Sequence, residues 1–293
     1  MNSASGSVGP GAAEALEALV AEFGLSLRLS EPEPRDIPVA VRAAVEADPD
    51  LVVVLAGDGT ARLAASLAGP KGPLVAPLPG GTMNMLPHAI YGRKPWKQAL
   101  SEALSGGVER TVPGGEVDGH AFYVAAILGS PALWAEAREA VRHRRLRDAA
   151  LRVRRAFLQT FSGRLRFRLA EGPARKAEAL TLMSPLISRA MAAETALEVA
   201  ALDVRNAGDA LRLGLRAMVG EIAAGVGADL EGWRADPSVS VELCEAGRAW
   251  ASGRIPAILD GEPMRLPRSV AFRFRPAAFR ALGLPPSPDA ANG

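Results

Sequence analysis

Residues 51–60 form an apolar run, Leu-Val-Val-Val-Leu-Ala, that leads straight into Gly57-Asp58-Gly59-Thr60, and residues 74–84 repeat the plan with Leu-Val-Ala-Pro-Leu before Pro79-Gly80-Gly81-Thr82-Met83-Asn84. Two glycine turns, each closing an apolar strand, suggest one shared anion site. Glycine lets a backbone take positive φ and come close to a ligand, so that main-chain N–H groups can point at phosphate oxygens. Asp58 adds a carboxylate where a Mg²⁺ ion carried on those phosphates would sit. A third turn, Asp260-Gly261-Glu262, follows the apolar run Ile255 to Leu259. Asp-Gly is a common hairpin signal, so this turn reads either as a plain hairpin or as a mount for a carboxylate.

The elements that must position these turns alternate along the first 110 or so residues. Leu16, Leu19, Val20 and Phe23 recur at helical spacing over residues 11–23, and residues 38–47 predict a second helix. Residues 25–29 read as a short strand, 51–55 and 74–78 as strands of a parallel sheet, 60–67 as a helix, and 83–90 as a further helical turn or two. The alternation predicts a doubly wound α/β domain. Beyond Gly107 shorter β-like runs take over, at 121–128, 165–169, 179–183, 196–201, 239–243 and 255–259, which predicts a β-rich, sandwich-like second domain. Helices over 134–161 and 207–223 interrupt it. The expected division is residues 1–112, completed by 270–284, as the α/β domain, 113–269 as the β-rich domain, and 285–293 as a disordered tail rich in Pro, Ser, Asn and Asp.

Composition narrows the chemistry. With 48% hydrophobic and 23% charged residues the chain is ordinary for a globular protein. No run approaches the roughly 18 apolar residues of a membrane-spanning helix, and the N-terminus lacks a signal-peptide pattern, so the expectation is a cytoplasmic protein. One cysteine, Cys244, excludes an internal disulfide framework, and His88, His120 and His143 offer no zinc-type spacing. Any metal would be a carboxylate-bound Mg²⁺. The net charge is only +2, yet ten arginines against one acid, Asp148, fall between Arg142 and Arg168. That stretch suits an anionic partner, either a membrane surface or a nucleic acid.

Taken together, Gly57-Asp58-Gly59-Thr60, Pro79-Gly80-Gly81-Thr82-Met83-Asn84 and Asp260-Gly261-Glu262 resemble the motifs of the diacylglycerol kinase catalytic family. That family includes bacterial lipid kinases and sphingosine kinases and is distantly similar to NAD kinases. Asn2-Ser3-Ala4-Ser5-Gly6 looks like the family's Asn-Pro-x-Ser/Ala-Gly turn, and Ser30 occupies the position of a threonine that touches ATP in bacterial relatives. The resemblance implies transfer of the γ-phosphoryl group of Mg·ATP to a lipid hydroxyl, in a cleft between an α/β nucleotide domain and a β-sandwich domain. It implies that Ala56, Gly57, Asp58, Gly59 and Thr60 hold the phosphates and metal, that Gly81, Thr82 and Asn84 line the nucleotide site, and that Glu262 is the general base. A lipid acceptor also turns the arginine stretch toward a transient anionic membrane contact at the inner surface rather than toward nucleic acid.

Several positions depart from the family pattern. Ala56 replaces its first glycine, Arg62-Leu63 replaces an Asn-Glu pair, and Met85 replaces an aspartate. Arginine at 62 can reach a phosphate in place of the lost contacts. Glu194-Thr195 stands where relatives carry Asp-Gly and bind a structural Mg²⁺, so that second metal is not expected. The family opens with an apolar strand before the Asn-Pro turn whereas this chain starts at the turn, which implies an upstream start or an unfilled, exposed sheet edge. Two other readings stay open: a catalytically silent relative that binds nucleotide or lipid, and a soluble-substrate kinase akin to NAD kinase.

Overall fold

The computed structural model describes residues 1–2, 5–6, 8–129, 165–187, 195–202 and 239–285. The chain divides into two compact units, one built from Met1–Pro113 with Ala277–Gly293 and the other from Gly114–Pro276.

In the first unit α1 (Ala12–Glu22), α2 (Ile37–Glu46), β1 (Leu51–Ala56), α3 (Asp58–Ala68), β2 (Leu74–Pro79), α4 (Met85–Tyr91) and α5 (Trp96–Gly106) follow in order. β1 and β2 pair in parallel from Leu51↔Leu74 to Ala56↔Pro79, so both glycine turns leave the same end of the sheet. Parallel strands need a crossover, and α3 supplies it, packing on both strands and against α2 and α4. Its stripe of small residues, Ala61, Ala64, Ala65 and Ala68, is buried, which lets the helix lie close to the sheet.

The expected strand at 25–29 does not form: these residues have no regular structure. Leu25 is 51% exposed, so the alternation there has no buried face to reward pairing. Helix α5 was not anticipated, although Trp96, Ala99, Leu100 and Ala103 form its buried stripe.

The second unit contains two sheets. Where the chain crosses from one unit to the other, β3 (Val108–Val117) carries it in and β14 (Ser269–Gly283) carries it back. Within the unit, β14 pairs antiparallel with β11 (Ala246–Trp250), β11 with β6 (Leu165–Leu169), and β6 with β7 (Arg175–Ala177), while β3 forms a hairpin with β4 (His120–Phe122). The other sheet has the order β10 (Val239–Cys244), β9 (Leu197–Leu202), β8 (Ala179–Met183), β5 (Ala125–Gly129), β12 (Ile255–Leu259), β13 (Glu262–Leu266). Inward residues of both sheets, among them Phe167, Ala249 and Phe272 from one and Leu128, Leu182, Val199 and Leu259 from the other, share one core. The fold is therefore mixed α/β with a parallel pair in the first unit and an antiparallel β-sandwich in the second.

The run at 121–128 is two strands rather than one, broken at Tyr123-Val124. The helices expected over 134–161 and 207–223, and the turn at Glu194, lie outside the described residues. Among the described residues no helix is long and apolar enough to cross a membrane.

Candidate functional site

The two glycine turns of the first unit press directly against each other. A Cβ added at Gly80 would fall 2.7 Å from the Ala56 nitrogen, and one at Gly81 would fall 2.6 Å from the Gly57 Cα. Backbone cannot yield to such contacts, so only glycine fits at 80 and 81. This corrects the expected reason for the glycines. None of Gly57, Gly59, Gly80 and Gly81 has positive φ; the left-handed residue of the second turn is Asn84, at φ 52°. At positions 80 and 81 glycine is required for the close approach of two backbone segments. Ala56, the final residue of β1, is buried without positive φ, so the alanine that replaces the family's glycine sits without strain.

Asp58 opens α3, with Gly57 as the residue before it. Asp58 is 8% exposed, and its Oδ1 accepts the Leu86 N–H at 3.2 Å, tying the start of α3 to the start of α4. The earliest helical bond made to Gly57 comes from Thr60. The Asp58 and Gly59 amides thus precede the helix's own ladder, at the end where the helix dipole favours an anion. Asn84 closes the second turn on itself: its Oδ1 accepts the Gly81 N–H at 2.7 Å and its Nδ2 donates to the Gly81 carbonyl at 3.0 Å. Asn84 therefore shapes the loop, and the Gly81 amide is spent on it. Thr82 at the tip is exposed.

The N-terminal turn meets the same place. Asn2 N–H donates to the Leu55 carbonyl at 3.0 Å, Ser5 N–H donates back to the Asn2 carbonyl at 3.0 Å, and a Cβ added at Gly6 would lie 3.8 Å from the Thr82 hydroxyl. Ser30 is exposed, and its carbonyl accepts the Met1 amino group at 2.7 Å, so its link to the turns runs through Met1 and Asn2. Arg62 follows Asp58 by one turn of α3, is half-buried, and forms no ion pair with a described residue. His88, in α4, has its imidazole pKa lowered, first by burial and then by the Arg93 charge.

Among the described residues no group of three or more His, Cys, Asp and Glu side chains is placed to hold an ion. A Mg²⁺ ion beside nucleotide phosphates takes one or two carboxylates and the phosphate oxygens rather than a protein cage, and the buried Asp58 at the start of α3 suits that use. Asp58 is the residue that would contribute.

Glu262 belongs to the second unit. Asp260 and Gly261 have φ of 46° and 86° and link β12 to β13 across the pair Leu259↔Glu262, the arrangement of a tight hairpin of the I′ type. Glu262 is exposed at the start of β13. The residue that sequence reasoning undervalued is Asp260. It is 1% exposed, and its carboxylate accepts N–H groups from Tyr123, Val124 and Ala125 at 2.8, 2.9 and 3.0 Å. That clamp explains the break between β4 and β5, because amides that turn toward Asp260 cannot serve a strand partner. The Asp-Gly hairpin signal marked the turn but carried no sign that its aspartate is buried.

Residues 1–116 match the family model for the diacylglycerol kinase catalytic domain, so the resemblance read from the motifs holds over that stretch. No curated protein matches the chain. Among solved structures, a diacylglycerol kinase from Bacillus anthracis str. Sterne is 13% identical with a TM-score of 0.66, covering 97% of this chain and 95% of that one. A further Bacillus anthracis str. Sterne structure is 15% identical, with a TM-score of 0.60 over 92% of this chain and 89% of its own. At these identities the likeness is one of fold, and it spans both units.

Proposed function

We propose that this protein is an ATP-dependent lipid kinase, transferring the γ-phosphoryl group to a hydroxyl of diacylglycerol or a related lipid alcohol. The observation that carries the reading is the apposition of the two glycine turns beside the start of α3. Main-chain amides and a buried carboxylate meet there, within the stretch that matches a kinase catalytic domain. When bound, Mg·ATP supplies the phosphoryl group and the charge neutralisation that phosphoryl transfer needs. The chain's own contributions are then positional. The amides at the start of α3 would receive phosphate oxygens, Asp58 would hold the metal, and Arg62, Thr82 and Ser30 would border the nucleotide. Asn84 keeps the second turn closed, and Glu262 accepts the proton of the lipid hydroxyl. A positioned base of that kind contributes about 10²- to 10⁴-fold in rate.

Labelled ATP incubated with the protein and mixed lipid extract tests the proposal. A labelled lipid is expected from the wild type and none from Asp58→Asn, while Glu262→Gln loses turnover and keeps ATP binding. ATP binding with no labelled lipid from any extract defeats the reading. A second reading, a catalytically silent relative, draws on the engagement of the Gly81 amide by Asn84, which leaves the second turn fewer donors for phosphate. Turnover of ATP above background rules it out. Phosphorylation of free NAD in place of lipid would instead identify a soluble-substrate kinase.

A further inference from the structure

We infer that the outward face of the sheet β14–β11–β6–β7 is a docking surface for an anionic lipid bilayer. The face is read from strand register. Lys176 lies opposite Arg166, Arg166 opposite Trp250, and Trp250 opposite Ser269; in the next row on the same face Arg168 lies opposite Arg248 and Arg248 opposite Ala271. The alternate residues Phe167, Ala249, Val270 and Phe272 point into the core. All four cations, Lys176, Arg166, Arg168 and Arg248, are exposed.

Two of the direct cross-strand pairs, Lys176–Arg166 and Arg168–Arg248, set residues of like charge opposite each other on strands about 5 Å apart. Such pairs destabilise a sheet. A neighbouring pair of arginines is treated differently: Arg273 and Arg275 share the Glu116 carboxylate at 3.0 and 2.7 Å. Among the described residues no carboxylate forms an ion pair with the four cations. Two like-charge pairs kept side by side without a counter-ion are suited to a partner that supplies the negative charge. The half-buried Trp250 among them has the amphipathic ring that settles at a membrane–water boundary. The choice of a bilayer over a nucleic acid rests on the lipid-kinase reading; the cationic face itself rests on register and exposure alone. This surface includes only the last two members of the arginine stretch singled out in the sequence, Arg166 and Arg168, and adds Lys176 and Arg248 from distant segments.

Sedimentation of the full chain with phosphatidylcholine vesicles, with and without phosphatidylglycerol, tests the inference in the absence of ATP. Binding is expected only with phosphatidylglycerol, and it should vanish between about 0.1 M and 1 M salt as the screening length falls from about 10 to 3 Å. Arg168→Glu combined with Arg248→Glu should weaken vesicle binding by about tenfold or more, whereas Arg42→Glu in the first unit leaves it unchanged. Arg248→Glu alone should weaken vesicle binding while holding or raising the melting temperature, because it turns a like-charge pair into an opposite-charge one; this separates lost docking from misfolding. The inference falls if the wild type ignores phosphatidylglycerol, if the double variant binds as well as the wild type, or if an oligonucleotide is bound in preference to vesicles at matched phosphate. Glu262→Gln should bind vesicles as the wild type does. Absence of lipid phosphorylation with vesicle binding intact would overturn the kinase reading and leave the docking face standing.

Discussion

Gly81 and Asp260 do structural work that can be separated from chemistry. A methyl group at 81 would collide with the Gly57 Cα at 2.6 Å, and two backbones would have to part to admit it. Gly81→Ala should cost about 1–3 kcal/mol of stability, read from urea unfolding, and should weaken ATP binding because the two turns no longer close together. Asp260→Asn keeps the shape but replaces one carboxylate oxygen by an N–H donor facing amides that are themselves donors. A loss of about 2–4 kcal/mol is expected, with Glu262→Gln close to neutral in the same measurement because that side chain is exposed. His88 contributes through pH. Burial and Arg93 hold its pKa below the ordinary 6.5, so between the two values the unfolded chain binds more protons, and stability rises with pH up to about that value. His88→Gln should flatten that rise in melting temperature between pH 5 and 7. That the two glycine turns come together was legible in the sequence, because each closes an apolar run and the two runs pair in parallel. The burial of Asp260 and the self-closure of Asn84 were not, because both depend on backbone supplied by the tertiary fold, from Tyr123 to Ala125 in one case and at Gly81 in the other.

Elements were legible where one face alone is buried or where an apolar run is continuous. Residues 165–169, 179–183 and 255–259 are strands with the expected bounds, because their alternation or apolarity matches the pleat. β3, β7, β11, β13 and β14 were missed. β11 reads Ala-Gly-Arg-Ala-Trp, and β14 carries arginines at 273, 275 and 280, so neither shows the apolar density that marks a strand in isolation. Their strand character comes from neighbours already in place. At 25–29 the reverse holds, an apparent strand pattern with no partner. The same logic grades the second unit's stability. β9 is buried along its whole length, Glu198 included, and lies between β8 and β10, whereas β10 is an edge strand with Leu243 58% exposed. Hydrogen exchange should therefore be slowest in β8 and β9 and fastest in β10 and β13, the two edges of that sheet. Equal protection across the sheet would contradict this.

At the scale of the whole molecule, the first unit is finished by residues far from its start. Phe279 and Ala281 are fully buried, Ala281 sits beside Val75 in parallel, and Arg280 donates to Glu109 at 2.9 Å and to the Gly72 carbonyl at 2.7 Å. Tyr91 donates its hydroxyl to the Leu282 carbonyl at 2.7 Å, and burial pushes that phenol well above its ordinary pKa. A chain ending at Pro276 would leave the β2 edge bare and remove the buried Phe279, which contributes about 2–3 kcal/mol, and Ala281, which contributes about 1 kcal/mol, from a unit whose net stability is only several kcal/mol. Such a truncation should leave the first unit open to proteolysis between α3 and α5 and abolish ATP binding, while Tyr91→Phe, which leaves only the Leu282 carbonyl without its donor, should cost about 1–2 kcal/mol. Ending the chain after Leu284 keeps the Tyr91–Leu282 hydrogen bond and the packing of Gly283 and should do neither. Survival of a folded, nucleotide-binding first unit after truncation at Pro276 would show that β1, β2 and their helices suffice alone, and that the returning strand adds only connection.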